Sequence, residues 1–357
     1  GGVFLRIFKN FFKIGLFLTP SLIFMMTFNR WAGLRIALMH PVSAVNFIIS
    51  GDETVQTASG INPFRNFSLS DFTSSGDKSQ VEDENNRRQS VINPNYSVKE
   101  EFFASAESDI ILKKDRCYVK NLTDLPRGEV KDIMLSPVGF KCEKNSQEPQ
   151  ILILHTHATE SYLPNRDNPY DPNYSFRSTD KSQNMTAVGA AMAERLNRLG
   201  YNTIQDDTLH DYPSYNGSYD KSKATTEYYL EKYPSIKVVL DVHRDAAERE
   251  GTIISPVVTI NDKKRAQIMI ISGADNGSMN MPNYKENLKF ATAVQNKRSK
   301  LYPGLMRSIL FDYRNYNQQL TTGSILVEVG THGAMLDQAV YAAQLFADSL
   351  AAALDEM

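Results

Sequence analysis

Cysteine and tryptophan are scarce in this chain of 357 residues, which contains two cysteines and one tryptophan. Two cysteines, Cys117 and Cys142, are too few for a disulfide-rich scaffold, and their spacing is not that of a CxxC zinc motif. They form either one disulfide outside the cytoplasm or two separate buried thiols. Both alternatives stay open at this point, because the sequence does not give the Cα separation on which a bridge depends.

An excess of basic residues is also lacking, since 39 Lys and Arg residues face 41 Asp and Glu residues and the formal net charge is -2. Proteins that bind nucleic acid carry a basic surface that neutralises phosphates. The charge balance gives no electrostatic support for such a partner, and we predict that the chain binds no nucleic acid.

Long apolar runs are confined to the first fifty residues. In the stretch 11–28 the one charged residue is Lys13, and its length is close to the roughly 20 apolar residues of a membrane-spanning helix. Arg6 and Lys9 precede it, an order that keeps the N-terminus in the cytoplasm and sends the remainder across. A cleavable signal peptide has the same charge order, but no small-residue cleavage site follows the run. We predict a single-pass transmembrane helix with a juxtamembrane segment in residues 1–50.

The rest of the chain divides by composition. Residues 51–97 are rich in Ser, Asn, Asp and Gly and have too little apolar surface to offset the entropy of ordering, which predicts a flexible linker. Residues 98–148 contain short strand-like runs at 110–112 and 133–135, and we interpret them as a preamble that packs on the next domain. Residues 149–357 form the predicted catalytic domain.

Apolar runs alternate with helical periodicity in this last domain. The predicted strands are 151–155, 201–205, 236–243, 252–260, 266–272 and 324–330, and the predicted helices are 184–199, 219–233, 286–301 and 337–354. Strands that alternate with helices are typical of an α/β fold. We therefore predict a three-layer domain with a largely parallel sheet flanked by helices.

Four of the six histidines lie at or just after the ends of predicted strands. They are His155 and His157 in HTHATESY, His243 in LDVHRDA and His332 in VEVGTH. Open α/β sheets bind ligands outside the carboxyl ends of their strands. A single histidine at such a position is more often structural, but four at one edge indicate a site.

Two acidic residues accompany these histidines. Glu160 follows His157 by three residues, and Glu328 lies in the apolar strand ILVEVG. A carboxylate in such a strand is costly to bury without a partner, so Glu328 is either in a salt bridge or a general base. Catalytic zinc takes three protein ligands of His and carboxylate type. His157, Glu160 and His243 could supply these, with Glu328 as the base, although no HExxH motif is present.

Four stretches resemble the stage II sporulation protein P (SpoIIP) family, which is related to zinc-dependent N-acetylmuramoyl-L-alanine amidases. They are HTHATESY, LHDYPSYNGSYDKS, DVHRDA and ILVEVGTHGA, and the resemblance runs from about residue 119 to the C-terminus. It implies an amidase-like α/β domain at the cell membrane that faces the extracytoplasmic space, with one zinc ion and peptidoglycan as substrate. It also implies septal wall remodelling and engulfment in sporulation, alongside other sporulation membrane proteins.

Carried over to this chain, the resemblance implies that His157 and His243 bind zinc and that Glu328 is the catalytic glutamate. One departure concerns the second zinc ligand, which the wider amidase family takes from a glutamate at the start of the helix after the first strand. Here that position falls at 181–184, which holds no acid. We therefore interpret Glu160 as the substitute ligand, and His155 as the alternative to His157.

Arg244 directly follows His243 and is a candidate for binding a substrate carboxylate through its fork of donors. The alternative is a salt bridge to Asp241 or Asp245, and the sequence favours neither. His332, four residues after Glu328, could stabilise the oxyanion or hold a hydrogen bond behind a zinc ligand.

The segment LHDYPSYNGSY adds further candidates. His210 either orders the rim of the site or is structural. The tyrosines Tyr212, Tyr215 and Tyr219 could stack on sugar rings, although tyrosines in polar loops often only pack.

We therefore predict that the protein hydrolyses the amide between N-acetylmuramic acid and L-alanine with the help of zinc, and that peptide cross-links are a second target to consider. One alternative is a membrane protein that binds peptidoglycan or a partner without cutting. A wall amidase of vegetative growth is another, but the segment LHDYPSYNGSY resembles the sporulation family rather than general amidases.

Overall fold

The computed structural model describes residues 97–164 and 174–357. The predicted membrane anchor and juxtamembrane segment lie outside the described residues, and so does the predicted linker except for Ser97. No helix within the described ranges is both long and apolar enough to cross a membrane.

The described residues form twelve strands and five α-helices. In chain order they are β1 (Ser97–Glu101), β2 (Ile111–Lys114), β3 (Cys117–Asn121), α1 (Arg127–Leu135), β4 (Ile151–Leu154), α2 (Met185–Arg198), β5 (Thr203–Gln205), α3 (Ser218–Lys232), β6 (Val238–Asp245), β7 (Glu248–Arg249), β8 (Thr252–Ile260), β9 (Lys263–Ala266), β10 (Ile268–Gly273), α4 (Tyr284–Leu301), β11 (Ile309–Asp312), β12 (Gly323–Thr331) and α5 (Leu336–Leu354). A short 3-10 helix, Gln318–Leu320, precedes β12.

The main sheet has eight strands in the order β2-β3-β11-β10-β12-β6-β4-β5. Five of its seven neighbouring pairs are parallel, while β2 with β3 and β10 with β12 are antiparallel. The predicted α/β fold is confirmed as a mixed sheet with helices. Residues 97–148 contribute β2 and β3 to this sheet and β1 to a second one.

Helices cover both faces of the main sheet. Alternate residues of β4 point to opposite faces, as a pleated strand requires. Ile151 and Ile153 pack into a large core with α1, α2, α4 and α5. Leu152 and Leu154 pack into a smaller core with Tyr229 and Leu230 of α3. One face is therefore covered by four helices, and the other by α3 near β4 and β6.

Two sequence predictions need correction. The predicted strand 252–260 forms as β8, but it lies in a second sheet, where it pairs with β1, β7 and β9. The strand predicted at 133–135 is wrong, because these residues end helix α1. Val130, Ile133 and Met134 are its buried residues, and their i, i+3, i+4 spacing is that of a helix with one apolar face.

The two cysteines are separate thiols, and both are buried. The Cys117 thiol donates a hydrogen bond to Gln295 Oε1 at 2.8 Å. Burial raises the pKa of both thiols, that of Cys142 to about 12. Of the two alternatives that the sequence left open, the structure has the unbridged one.

Candidate active site

The carboxyl ends of β4, β6 and β12 bring the candidate residues together. These three strands are adjacent and parallel, and Glu328 of β12 pairs in register with His243 of β6. Val242 and Val327 point into the large core. By alternation, Asp241, His243 and Glu328 point to the face that carries α3.

His157 and His243 are buried beside each other, with ring centroids 5.3 Å apart and ring planes perpendicular. His157 Nδ1 is buried without a hydrogen-bond partner, and His243 Nε2 lies 2.8 Å from Asp241 Oδ1. Burial and the neighbouring His243 lower the pKa of His157 to about 4. Burial also acts against protonation of His243, but the carboxylate of Asp241 outweighs it and raises its pKa to about 9.

Glu160 is buried next to His243, on the side of its Nδ1 atom. Its Oε2 lies 3.8 Å from His243 Nδ1, and its Oε1 lies 3.9 Å from Arg177 Nη2. Burial raises the pKa of the Glu160 carboxyl in spite of these nearby cations. Glu160, the predicted substitute ligand, is thus a direct neighbour of His243, a predicted zinc-binding histidine.

Glu328 contributes a carboxylate oxygen, Oε2, that is buried without a partner. Burial raises the pKa of Glu328 well above its usual range, and Glu160 acts in the same direction. Glu328 forms no salt bridge among the described residues, so the structural role that the sequence left open for it is not observed. An unpaired carboxyl with a raised pKa in such a site is suited to proton transfer.

His155 continues the alternation of Ile151 and Ile153 and points to the face of the large core, whereas His157 lies in the turn after β4 and contacts His243. His155 Nδ1 bonds to the Val242 carbonyl at 2.8 Å, and its Nε2 lies 3.2 Å from Gln205 Nε2. Burial lowers its pKa to about 4. Since both ring nitrogens are engaged, His157 is the better placed of the two candidates.

Two buried aspartates that the sequence analysis did not select hold the segment between His155 and Glu160. Asp241 accepts from the backbone N–H of Thr156 at 2.8 Å and from its hydroxyl at 2.7 Å. Asp211 accepts from Thr159 in the same manner, at 3.1 and 2.6 Å, and from Arg177 Nη1 at 2.6 Å. The sequence feature that could have indicated Asp241 is its position two residues before His243, on the same face of the strand.

Arg244 contacts backbone carbonyls rather than a carboxylate side chain. Its Nε donates to Ser161 O at 2.7 Å and its Nη2 to Phe176 O at 3.0 Å. Asp245, one of the two partners suggested from the sequence, pairs with Arg307 at 2.6 Å. The salt-bridge alternative for Arg244 is therefore corrected: the guanidinium fixes the loop that follows Glu160.

The two other histidines of the described ranges, His210 and His332, take part in holding loops. His210 Nδ1 bonds to the His155 carbonyl at 2.8 Å and its Nε2 to Thr225 Oγ1 at 2.9 Å, so both nitrogens are engaged. His332 packs its ring edge against Phe176, and its Nε2 lies 3.4 Å from Glu248 Oε1. Burial lowers the pKa of His332. Its suggested roles in catalysis stay predictions.

Two of the three candidate tyrosines cover His157. The Tyr215 ring stacks on the His157 ring with centroids 4.4 Å apart, and the Arg177 guanidinium lies over the Tyr215 ring. Tyr219 meets His157 edge-on at 5.5 Å and stacks on Tyr316. Packing on a site histidine is therefore the observed role of Tyr215 and Tyr219, although the Tyr215 side chain is exposed, as is that of Tyr212.

The start of α2 is the position from which the wider amidase family takes its second zinc ligand, and here it holds Asn184 instead of an acid. Asn184 is buried at the N-cap, where its side chain accepts from Thr186 N and donates to Ser178 O. Across the described ranges, no group of three or more His, Cys, Asp or Glu side chains is arranged as a metal site.

Comparison with known proteins identifies the family. The family model described as Stage II sporulation protein P (SpoIIP) matches residues 52–351. Stage II sporulation protein P of Bacillus subtilis (strain 168) is 29% identical over 209 residues, which cover 56% of this chain and 49% of the relative. The chain thus matches about half the length of that curated relative.

Solved structures of amidases match this chain at low identity and low TM-score. N-acetylmuramoyl-L-alanine amidase AmiC2 of Nostoc punctiforme has a TM-score of 0.35 and 12% identity, covering 59% of this chain and 97% of that one. The CwlD amidase from Clostridioides difficile, solved in complex with the GerS lipoprotein, has a TM-score of 0.34 and 12% identity, covering 58% of this chain and 97% of that one.

Because the family model spans most of the sequence and includes all four motifs, the chain belongs to the stage II sporulation protein P family.

Proposed function

We propose that this protein is a zinc-dependent peptidoglycan hydrolase that cleaves the amide between N-acetylmuramic acid and L-alanine. The observation that carries the proposal is the convergence of His157, His243, Glu160 and Glu328 at the ends of neighbouring strands, with buried polar atoms that lack partners. Such atoms are costly in a folded protein unless a ligand satisfies them.

The chemical types of the donors suit zinc, although the described side chains are not arranged as a metal site in this structure. Two imidazoles and one carboxylate are a common ligand set of catalytic zinc, which keeps a further position for water or substrate. His157, His243 and Glu160 would hold the ion. Neutral imidazole is the form that binds a metal. The lowered pKa of His157 keeps it neutral at physiological pH, whereas His243, whose pKa is raised to about 9, would release its proton when the ion binds. Zinc supplies Lewis-acid chemistry, which makes water more acidic and polarises a carbonyl oxygen.

Glu328 has the role of general base and then general acid. Its carboxylate accepts a proton from the attacking water and returns it to the leaving amine of L-alanine. Burial raises the pKa of the Glu328 carboxyl to about 8, which is close enough to physiological pH for the group to accept a proton and to return it. Arg244 acts in this proposal as a positioning residue, because it holds Ser161 and Phe176 and thereby the loop next to Glu160.

The setting of the reaction is proposed from the sequence and the family. The apolar run at 11–28 anchors the chain in the cell membrane with a single pass, and 51–97 links it to the catalytic domain at 149–357 in the extracytoplasmic space. Family membership supports a role in septal wall remodelling and engulfment during sporulation, together with other membrane proteins of that process. Cleavage of peptide cross-links is a second activity to be tested alongside.

The test uses the full chain in detergent with zinc and purified peptidoglycan, with products read by mass spectrometry. We expect stem peptides with a free L-alanine amine, and we expect none with a chelator or with Glu328→Ala. Glu231→Gln is the matched control, since Glu231 is an exposed acid on α3, and its activity should equal that of the wild type. If glycan and peptides stay joined while the protein still pellets with the wall, the non-catalytic binding function replaces the hydrolase.

A further inference from the structure

Asp241 occupies the centre of the sheet at the base of the site. It lies on β6 between β4 and β12, paired in register with Leu154 on one side and Leu326 on the other. Its side chain is buried, and it points to the same face as His243 two residues later. The apolar pattern of the run VVLDVH would be satisfied by valine at this position, so the carboxylate is not there to fill a core.

The two oxygens of Asp241 contact both halves of the site. Oδ1 accepts from Thr156 N and Oδ2 from Thr156 Oγ1, which fixes the residue immediately before His157. Oδ1 also lies 2.8 Å from His243 Nε2, at ion-pair distance but without the alignment of a hydrogen bond. A single carboxylate therefore touches the His243 ring and the segment that carries His157.

The same contact determines which ring nitrogen of His243 faces the site. With Nε2 against Asp241, Nδ1 is the nitrogen near Glu160, at 3.8 Å from its Oε2. A metal-binding histidine commonly has its other ring nitrogen against a carboxylate, which fixes the ring orientation and raises its strength as a ligand.

We propose that Asp241 is the positioning residue of this site, which orients His243 Nδ1 towards Glu160 and sets the spacing between His243 and His157. The inference rests on the proposed zinc site. It assigns the spacing of two ligands from different strands to one buried side chain, rather than to the backbone of the sheet alone.

Asp211 provides a matched comparison within the same loop. It is also buried, and it binds the backbone N–H and hydroxyl of Thr159 as Asp241 binds those of Thr156. Among the described residues, its other contact is with Arg177 and not with His243. Asp211→Asn therefore disturbs the loop without removing the carboxylate that faces His243 Nε2.

The experiment measures zinc binding by the untagged full chain in detergent, by titration calorimetry, for wild type, Asp241→Asn and Asp211→Asn. The visible spectrum of the cobalt(II)-substituted protein reports ligand geometry independently of activity. We expect Asp241→Asn to weaken zinc binding about 10- to 100-fold and to change the cobalt spectrum. Asp211→Asn should lose less zinc affinity than Asp241→Asn and change the cobalt spectrum less, since His243 keeps its carboxylate.

Equal losses in the two variants would overturn the inference, because they would show that holding the loop is what matters. An Asp241→Asn affinity equal to that of the wild type would overturn it too. If Asp241→Asn is unfolded by circular dichroism, Asp241→Glu is measured instead, and its longer side chain should give at least a tenfold loss, whereas wild-type affinity would contradict the proposal. Failure of the wild type itself to bind zinc would instead refute the proposed function.

Discussion

The two faces of the main sheet use the same strands for different purposes. On one face, the residues of β4, β6 and β12 join four helices in a single apolar core. On the other, α3 covers a small core of Leu152, Leu154, Ile236 and Val239 with a few partly buried neighbours. Beyond it the same face carries Asp241, His243 and Glu328. One face supplies most of the apolar burial, which offsets the cost of the buried polar atoms without partners on the other.

The comparison shows that neighbouring residues of one strand have separate tasks. Leu240 and Val242 are fully buried in the large core, whereas Asp241 and His243 between and after them belong to the site. On β12, Val327 likewise packs in the large core, while Glu328 next to it belongs to the site. Substitutions of adjacent residues should therefore separate stability from activity.

The largest expected effect is that of Glu328→Gln on activity. Loss of a general base typically costs about 10²- to 10⁴-fold in rate, and glutamine has nearly the same shape. The melting temperature should not fall, because Glu328 Oε2 has no hydrogen-bond partner to lose. Initial rates on peptidoglycan and a thermal melt check both parts. A variant that loses stability along with activity would show that Glu328 is structural.

Leu240→Ala should have the opposite profile. Removing a fully buried leucine from the large core is expected to lower the free energy of unfolding by about 2–5 kcal/mol. The rate per folded molecule should stay within about threefold of the wild type, since the side chain points away from the site. Urea denaturation and active-site titration measure the two quantities. A large loss of rate in the folded fraction would contradict the separation of the faces.

The smallest effect is predicted for two glycines in helices of the apolar face. A Cβ at Gly189 would lie 2.4 Å from His155 Nε2 and 2.8 Å from Gln205 Nε2, whereas at Gly128 it would meet nothing within 4 Å. Gly189→Ala should destabilise the fold by about 1–2 kcal/mol, because overpacking outweighs the gain in helix propensity. Gly128→Ala should be neutral or stabilise by up to about 1 kcal/mol. The same sign for both variants in urea denaturation would contradict this.

Much of the fold and the site could be predicted from local patterns. The apolar run at 151–155 and the one at 236–243 form β4 and β6 within two residues, and the helical spacing at 184–199 forms α2. The rule that ligands gather at the carboxyl ends of strands correctly joined His157, His243 and Glu328. These signals are local, so a single sequence carries them.

Other features depended on contacts between distant segments. The pattern of 252–260 indicates a strand but does not show that it leaves the main sheet for β1. Strand alternation alone would place His155 and His157 on the same face. The turn after β4 carries His157 to the other side, and only its contact with His243 shows that it lies at the site. The contacts of Asp211 with Thr159 join residues 52 positions apart, and nothing in either segment indicates the partner.

The sequence by itself determined the periodicity of strands and helices, the polar residues at the strand ends and the family signature. These follow from the pleat of a strand, the turn of a helix and the cost of burying a charge, which each segment expresses alone. The tertiary structure decided which face of the sheet became the site, which histidine faces it and which aspartates hold it. Those choices depend on the order of strands and the packing of helices, because a buried polar group is stable only where a distant segment supplies its partner.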